Sequence, residues 1–518
     1  MSGDYLLAID NGTQSVRALV FDGRGHLVDK AQVAIDSYVS PQPGWVECDP
    51  QAFWQALCTA CQRLWASSAV PPSAIRSVVI TTQRATVVNL DAQGRPLRPA
   101  IIWLDQRRAD GGPVLPIWWR AALGAIGMSG AIAYFQREAE ANWIARHQPD
   151  IWARTHKYLL LSGYLNYRMT GGRFVDSIGS QVGYVPFDYK RGCWAPSWDW
   201  KWAGLPITPD MLPELVAPGT QIGAVGAEVS AQTGLPVGLP ILAGAADKAC
   251  EVLGAGCISP EVACLSYGTA ATVNIANPRY VEGVPFIPPY QAAVPGLYNT
   301  EGQVTRGFWM VSWFKQQFGL KEQLLAAERG VSPEALFDEL VEAVPPGADG
   351  LMLQPFWNPG IKMPGPEARG AVIGFGDAHT RAHLYRAILE GLAYALRECM
   401  ERIEKRSGVP VTKVRVSGGG SQSDAAMQIT ADVFGLPSER PHVYETSGLG
   451  AAMIGAVGSG LHPDFATALR EMTRVGRVFE PSPGHVQTYE QLYRRVYLRM
   501  YERLKPLYED LRDITGGT

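Results

Sequence analysis

The sequence predicts an α/β protein built from two related halves, and three observations carry that reading. Apolar runs of strand length alternate with helical patterns along the chain, as in layered α/β folds. A strand, a Gly-Thr turn and a second strand open the chain and return far downstream. The 518 residues, 47% of them apolar, suffice for two large cores.

The opening hairpin pairs Tyr5-Leu-Leu-Ala-Ile9 with Val16-Arg-Ala-Leu-Val-Phe21 across Asp10-Asn-Gly-Thr13. Asp22-Gly-Arg-Gly25 then turns the chain into a third strand around Leu27 and Val28. Asp49-Pro50 starts a helix, with a capping carboxylate before a first-turn proline. Phe53, Leu57, Ala60, Cys61 and Leu64 form its apolar face. Strands are expected at Arg76 to Thr81 and at Ala100 to Trp103. The second hairpin pairs Val262 to Ser266 with Ala271 to Ile275 across Tyr267-Gly-Thr-Ala270. A boundary near 252–257 therefore divides the chain into 1-253 and 254-518.

In the second half, Thr380 to Lys405 reads as a long helix, and Val414 to Val416 as a strand entering Gly418-Gly419-Gly420. Ser421-x-x-Asp424 resembles a capping box for the helix that follows. Ser447 to Gly460 is a helix of small residues suited to close packing, and a last helix buries Tyr489, Leu492, Tyr493, Val496 and Met500.

Composition narrows the function classes. Lys and Arg total 46 against 49 Asp and Glu, with no basic tail, so neither nucleic acid nor an anionic membrane surface is an expected partner. The N-terminus lacks a basic n-region, and the uncharged stretch Ala121 to Gln136 is short and broken by glycine. No signal peptide and no membrane span are expected. Eight dilute cysteines read as reduced thiols in a cytoplasm. Cys58-x-x-Cys61 lies inside the amphipathic helix with no second pair, which favours core packing over zinc. The tryptophans at 194, 198, 200 and 202 read as a packed surface flap.

Several segments carry candidate chemistry, each beside a plainer reading. The two Gly-Thr turns offer N–H groups and hydroxyls that suit phosphate, with Asp10 as a hard oxygen ligand for Mg²⁺ and Arg17 as a second phosphate contact; ordinary hairpin turns explain them equally well. Gly418 to Gly420 let a flat ring or a phosphate approach the backbone, or form a simple turn. Asp247 follows an apolar strand, where it suits either a general base or a helix cap. Gln83, Arg84, Trp103 and Asp105 follow strands in the same way. They suit polyol hydroxyls and a carbon face, or salt bridges and core packing.

In order along the chain, these segments resemble the FGGY carbohydrate kinases, the group that includes glycerol kinase, xylulokinase and ribulokinase. The likeness runs through Ile9 to Thr13 with Arg17, Gly44-Trp-Val-Glu47, Thr82-Gln-Arg84, Trp103-x-Asp105-x-Arg107 and Leu212 to Leu215. It continues through Gly244 with Asp247, Tyr267-Gly-Thr269, Ala368-Arg-Gly370, Leu389-Glu-Gly391, Gly418 to Gly420 and Gly448 to Ala452. The resemblance implies two RNase-H-like domains of the actin/Hsp70 type with a cleft between them that holds Mg²⁺ and ATP. It implies Asp10, Thr13 and Arg17 as the first phosphate motif with Asp10 at the metal, Gly268 and Thr269 as the second, and Gly418, Gly419 and Gly420 at the adenosine. Asp247 is the implied base, with Gln83, Arg84, Trp103 and Asp105 on the sugar side. A small sugar or polyol is the implied partner, a homodimer the usual assembly, and a pentulose such as xylulose the leading acceptor, with glycerol next. A non-catalytic nucleotide-dependent sugar sensor is the competitor from another class; a hairpin starting near residue 5 leaves no room for a DNA-reading domain ahead of it.

Departures bear on the acceptor. Ala85 stands where glycerol kinases carry Glu, and Arg84-Ala85 where xylulokinases place Met-His. Lys248 replaces the usual Asn or Gln, and Glu140 the Lys three residues before Trp143. A cation beside Asp247 is expected to lower its basicity, to meet a polar substrate group, or to face away.

Overall fold

The computed structural model describes residues 4–331, 333–358 and 363–515. Its chain forms two compact units. The first comprises Met1–Gly256, Tyr290–Tyr298 and Glu445–Thr473; the second comprises Cys257–Pro289, Asn299–Tyr444 and Arg474–Thr518. Each is discontinuous in sequence, and the small-residue segment after Glu445 packs with the first.

In the first unit six strands lie in the order Gln221–Ala224, Pro240–Leu242, Ile75–Thr82, Tyr5–Asn11, Ser15–Asp22, Leu27–Ala34. The three hairpin strands pair antiparallel, whereas Tyr5–Asn11, Ile75–Thr82 and Pro240–Leu242 run parallel. The second unit repeats this plan with Val475–Phe479, Ser438–Pro441, Lys413–Ser417, Val262–Tyr267, Ala271–Asn277 and Tyr298–Val304. There too the opening hairpin is antiparallel, and its first strand pairs parallel with the strand that leads into Gly418. The same mixed six-strand order twice in one chain is the RNase-H-like arrangement of the actin/Hsp70 type, and it makes the repeated Gly-Thr hairpin a structural repeat.

Local signals explain most of the elements. Asp49 caps the helix Pro50–Ser67 by accepting from the Gln51 N–H at 2.9 Å, and Phe53, Leu57, Cys61 and Leu64 bury its apolar face on the first sheet. Cys58 and Cys61 are both buried there, so their spacing reflects packing. The helix Arg381–Ser407 starts behind Thr380 and ends at Gly408, whose φ of 72° suits the left-handed cap.

Three expectations are corrected. Only Ala100–Ile101 of the run Ala100 to Trp103 is strand, because the chain turns at Ile102 with Asp105 N–H donating to its carbonyl. Ser421 caps no helix. A 3-10 turn, Gly419–Gln422, takes in the last two glycines and Ser421, and Ser423 caps Asp424–Phe434 by accepting from the Ala426 N–H at 3.1 Å. The final helix is divided by a π turn at Tyr493–Tyr497, which widens the spacing of its buried tyrosines.

The helix Thr446–Gly458 touches Asp247–Gly254 backbone to backbone. A Cβ on Gly450 would lie 1.9 Å from the Cys250 carbonyl oxygen, so only glycine allows this approach.

Candidate active site

Three adjacent parallel strands end side by side in the first unit. Asp10 sits near the end of Tyr5–Asn11, opposite Arg17 on one neighbour and Thr81 on the other. Thr81 donates through its hydroxyl to the Ala245 carbonyl at 2.8 Å, and Thr82 bridges Ala246. Gly244 permits that contact, since a Cβ there would meet the Ile80 carbonyl oxygen at 2.1 Å. Asp10, Gln83 and Asp247 therefore emerge together at the carboxyl ends of the strands, where ligands of open α/β sheets gather.

Side-chain contacts tie the group together. Arg17 Nη1 donates to Asp10 Oδ2 at 3.0 Å and to Glu445 Oε2 at 2.9 Å. Thr13 donates to Gln83 Oε1 at 3.2 Å and accepts from Trp103 Nε1 at 2.8 Å, while the Tyr38 hydroxyl donates to the Thr13 carbonyl. Asp247 is the first residue of its helix, and its Oδ1 accepts from the Lys248 N–H at 2.7 Å. The Lys248 ammonium turns along the helix to Glu251 at 2.6 Å.

Burial dominates the electrostatics. It pushes the Asp10 carboxyl up to about 7, against the pull of Arg17 and with reinforcement from Asp247, Glu445 and Glu251. It also raises Asp247, against the opposing charges of Lys248 and Arg84. Lys248 thus does not make Asp247 a weaker base than an ordinary aspartate, because desolvation outweighs the lysine.

Among the described residues no group of three or more His, Cys, Asp or Glu is placed to hold a metal. The described residues therefore build no resident cage of such ligands. One buried carboxylate, Asp10, with Oδ2 on Arg17, does fit a cation arriving with phosphate ligands, the usual manner of Mg²⁺. The buried side-chain amide of Asn11 and the Gln83 Nε2 also lack hydrogen-bond partners among the described residues, as groups facing a polar ligand do.

The raised Asp10 carboxyl has a consequence for stability. Its folded value, about 7, lies above the ordinary 3.8, so its contribution is complete below about 3.8 and is lost as pH rises through about 7. Asp10→Asn, which carries no charge, is expected to melt higher than the parent at pH 8 without nucleotide, by about 2–8 °C for roughly 1–2 kcal/mol. The gap should close towards pH 4. Equal melting at pH 8 in differential scanning calorimetry would contradict this origin for the strain.

On the sugar side, the Arg84 guanidinium lies 5.2 Å from the Tyr290 ring centroid, and its charge reaches Asp247. The next residue, Ala85, has φ +50°, a strained setting of the kind found at functional loops. Trp103 spends its N–H on Thr13 and packs against the first core. Asp105 is tied into the protein on both oxygens. Its oxygens accept from the Val46 N–H at 2.6 Å and from Arg107 at 2.7 and 2.8 Å, and Arg107 itself lies 4.0 Å from the Trp45 ring centroid. These contacts hold the carboxylate inside the network, where it positions the loop after Trp103.

The second unit brings its own pair of loops together. Phe308 and Trp309 N–H groups donate to the carbonyls of Gly268 and Thr269 at 3.0 and 3.3 Å. Gly418, at φ +81°, lies against the Tyr267 backbone, and Gly420 against the Phe308 ring. The hairpin and the glycine loop thus meet at the carboxyl ends of neighbouring parallel strands.

Sequence reading missed Glu445 and Glu251. Both are buried carboxylates whose significance rests on partners the chain brings to them. No local signal marks the first, whose partner Arg17 is distant in sequence.

The comparisons with known proteins bear on the family and the fold. Residues 5–254 match the N-terminal domain, and 263–459 the C-terminal domain, of the FGGY family of carbohydrate kinases. An uncharacterized sugar kinase, YgcE of Escherichia coli (strain K12), is 31% identical over 95% of this chain and 92% of its own length. A glycerol kinase of Acidovorax sp. (strain JS42) is also 31% identical, over 92% of this chain and 95% of its own. The solved structure of a xylulose kinase from Rhodospirillum rubrum superposes with a TM-score of 0.81 at 28% identity, covering 98% of this chain and all of that one. The chain belongs to the FGGY family of carbohydrate kinases. It is accordingly a phosphotransferase with an alcohol group as acceptor. No helix among the described residues is long and apolar enough to cross a membrane.

Proposed function

We propose that the protein transfers the γ-phosphoryl group of ATP to a primary hydroxyl of a small sugar, a pentulose such as xylulose, with Asp247 as general base. The observation that carries this reading is the convergence of Asp10, Arg17, Gln83, Arg84 and Asp247 at one strand edge, with the Asp247 carboxyl raised towards the range where a base is useful. Asp247 takes the proton of the acceptor hydroxyl and aims its oxygen at the phosphorus. Asp10, Thr13 and Arg17 in the first unit, and Gly268, Thr269 and Gly418 to Gly420 in the second, are the proposed nucleotide contacts. Phosphoryl transfer passes through a loose transition state, so holding and neutralising the phosphates supplies most of the catalysis. Mg²⁺ at Asp10 would supply further neutralisation of that charge.

Gln83, Arg84 and the flank of Trp103 form the proposed acceptor side. Ala85 lacks the carboxylate that the resemblance assigns to glycerol kinases, and Arg84-Ala85 lack the Met-His pair that it assigns to xylulokinases, so these two positions point to a subgroup apart from both. The glycerol kinase relatives at 30–31% identity keep glycerol or another polyol as the second reading. Release of ADP across a panel of ketoses and polyols tests both. The proposal expects xylulose to give a kcat/KM at least about tenfold above glycerol, a difference of about 1.4 kcal/mol. A preference for glycerol would establish the second reading, and ATP hydrolysis indifferent to every acceptor would favour a sensor.

A further inference from the structure

Arg17 Nη1 serves two carboxylates at once, Asp10 at 3.0 Å and Glu445 at 2.9 Å. The two acids are almost fully buried, at 6% and 4% side-chain exposure, while the arginine remains 33% exposed. Asp10 and Arg17 face each other directly across the antiparallel ladder, so their side chains are neighbours whatever else is present. Left to themselves they would close into a one-to-one ion pair. That pair would remove a cation suited to phosphate and a carboxylate suited to a metal in one stroke. Glu445 keeps that pair from being exclusive by accepting from the same guanidinium nitrogen, so Arg17 is shared between two carboxylates. Glu445 is in turn held by the chain. It stands immediately before the helix Thr446–Gly458, whose glycines lock it against the helix that begins at Asp247, and Lys30 Nζ lies 3.5 Å from its other oxygen.

We infer that Glu445 is a positioning residue that keeps Arg17 from pairing exclusively with Asp10 and so sets the affinity for the nucleotide's phosphates. The inference rests on the proposed role of Asp10 and Arg17 at the phosphates. It makes a prediction opposite in sign to simple charge counting. Removing a negative charge near an anionic ligand should tighten binding; if Glu445 works through Arg17, removing it weakens binding.

The probe is Mg·ADP, titrated calorimetrically into the full chain, which requires no knowledge of the sugar. Glu445→Gln is expected to raise the dissociation constant about tenfold or more, the usual effect of losing a charge-assisted hydrogen bond. In an Arg17→Gln background the same change should add less than about twofold, since the group it positions is gone. The KM for the acceptor should stay within about twofold of the parent, whereas a generally disturbed fold would move both constants. Glu445→Asp keeps the charge but draws it back by one methylene. It should lie between parent and Gln variant, and it serves as the test variant if Glu445→Gln does not fold. Unchanged or tighter Mg·ADP binding by these variants, or full additivity with Arg17→Gln, would overturn the inference. Failure of the parent protein itself to bind Mg·ADP would instead overturn the nucleotide reading on which it stands.

Discussion

Asp247→Asn is expected to lower kcat for sugar phosphorylation by about three orders of magnitude, within the usual range for loss of a general base, and to leave Mg·ADP binding within about twofold. The substitution suits the site. Asparagine keeps the shape of the side chain and the acceptor oxygen that receives the Lys248 N–H, so the first turn of Asp247–Gly254 remains capped. What disappears is the proton acceptor. The same carboxyl predicts a pH dependence with a definite sign. Burial holds it above the ordinary aspartate range, and it accepts a proton only when ionised. The kcat/KM of the parent should therefore fall as pH drops through that raised value, and the residual rate of the variant should show no such limb. Arg84 and Lys248 oppose the effect of burial, so Arg84→Gln is expected to move the limb to higher pH. A full rate in Asp247→Asn, or an identical acidic limb in both proteins, would remove Asp247 from the chemistry.

Gly450→Ala is expected to destabilise the protein by about 3 kcal/mol or more, towards the upper end of overpacking effects, lowering the melting temperature by roughly 6–12 °C. A methyl at this position would stand 1.9 Å from a carbonyl oxygen of Asp247–Gly254, and backbone cannot swing aside as a side-chain tip does. Gly254 makes the reciprocal approach, since its own Cβ would lie 2.0 Å from the Thr446 carbonyl oxygen. Separating the two helices displaces Asp247 at the start of one and Glu445 at the entrance of the other. Any folded fraction should therefore lose kcat as well. Gly484→Ala is the control: that glycine is helical and faces open space, so alanine should be neutral or stabilising by up to about 1 kcal/mol. Equal melting of the parent and Gly450→Ala, followed by circular dichroism, would show that the helices are not locked by this contact.

Features encoded locally were legible in the sequence. Asp49-Pro50 marked a helix start because capping is a matter of neighbouring residues, and the two Gly-Thr hairpins stood out because a strand on either side of a tight turn is a short-range pattern. The convergence of Asp10 with Asp247 was reachable through the family resemblance; in the structure it follows from the parallel register linking Asp10, Thr81 and Ala245. The Asp105–Arg107 pair was one of two readings open in the sequence, because a carboxylate after a strand looks the same whether it faces a ligand or an arginine. Ser421 misled because the glycines before it form a 3-10 turn that delays the helix by one cap. Glu445 was missed for the opposite reason. Its partner lies 428 residues away, and no local signal separates a glutamate bound for a buried ion pair from one on a solvated surface. The small-residue helix announced close packing without saying against what.

The central claim is that this strand edge passes a phosphoryl group to an alcohol. The most direct test is to incubate the protein with ATP labelled in its γ-phosphate, Mg²⁺ and the acceptor sugars, and to follow the label. The label should be found in a sugar monophosphate, with little in free phosphate and none transferred when the acceptor is omitted. Label recovered only as inorganic phosphate, whichever sugar is present, would contradict it.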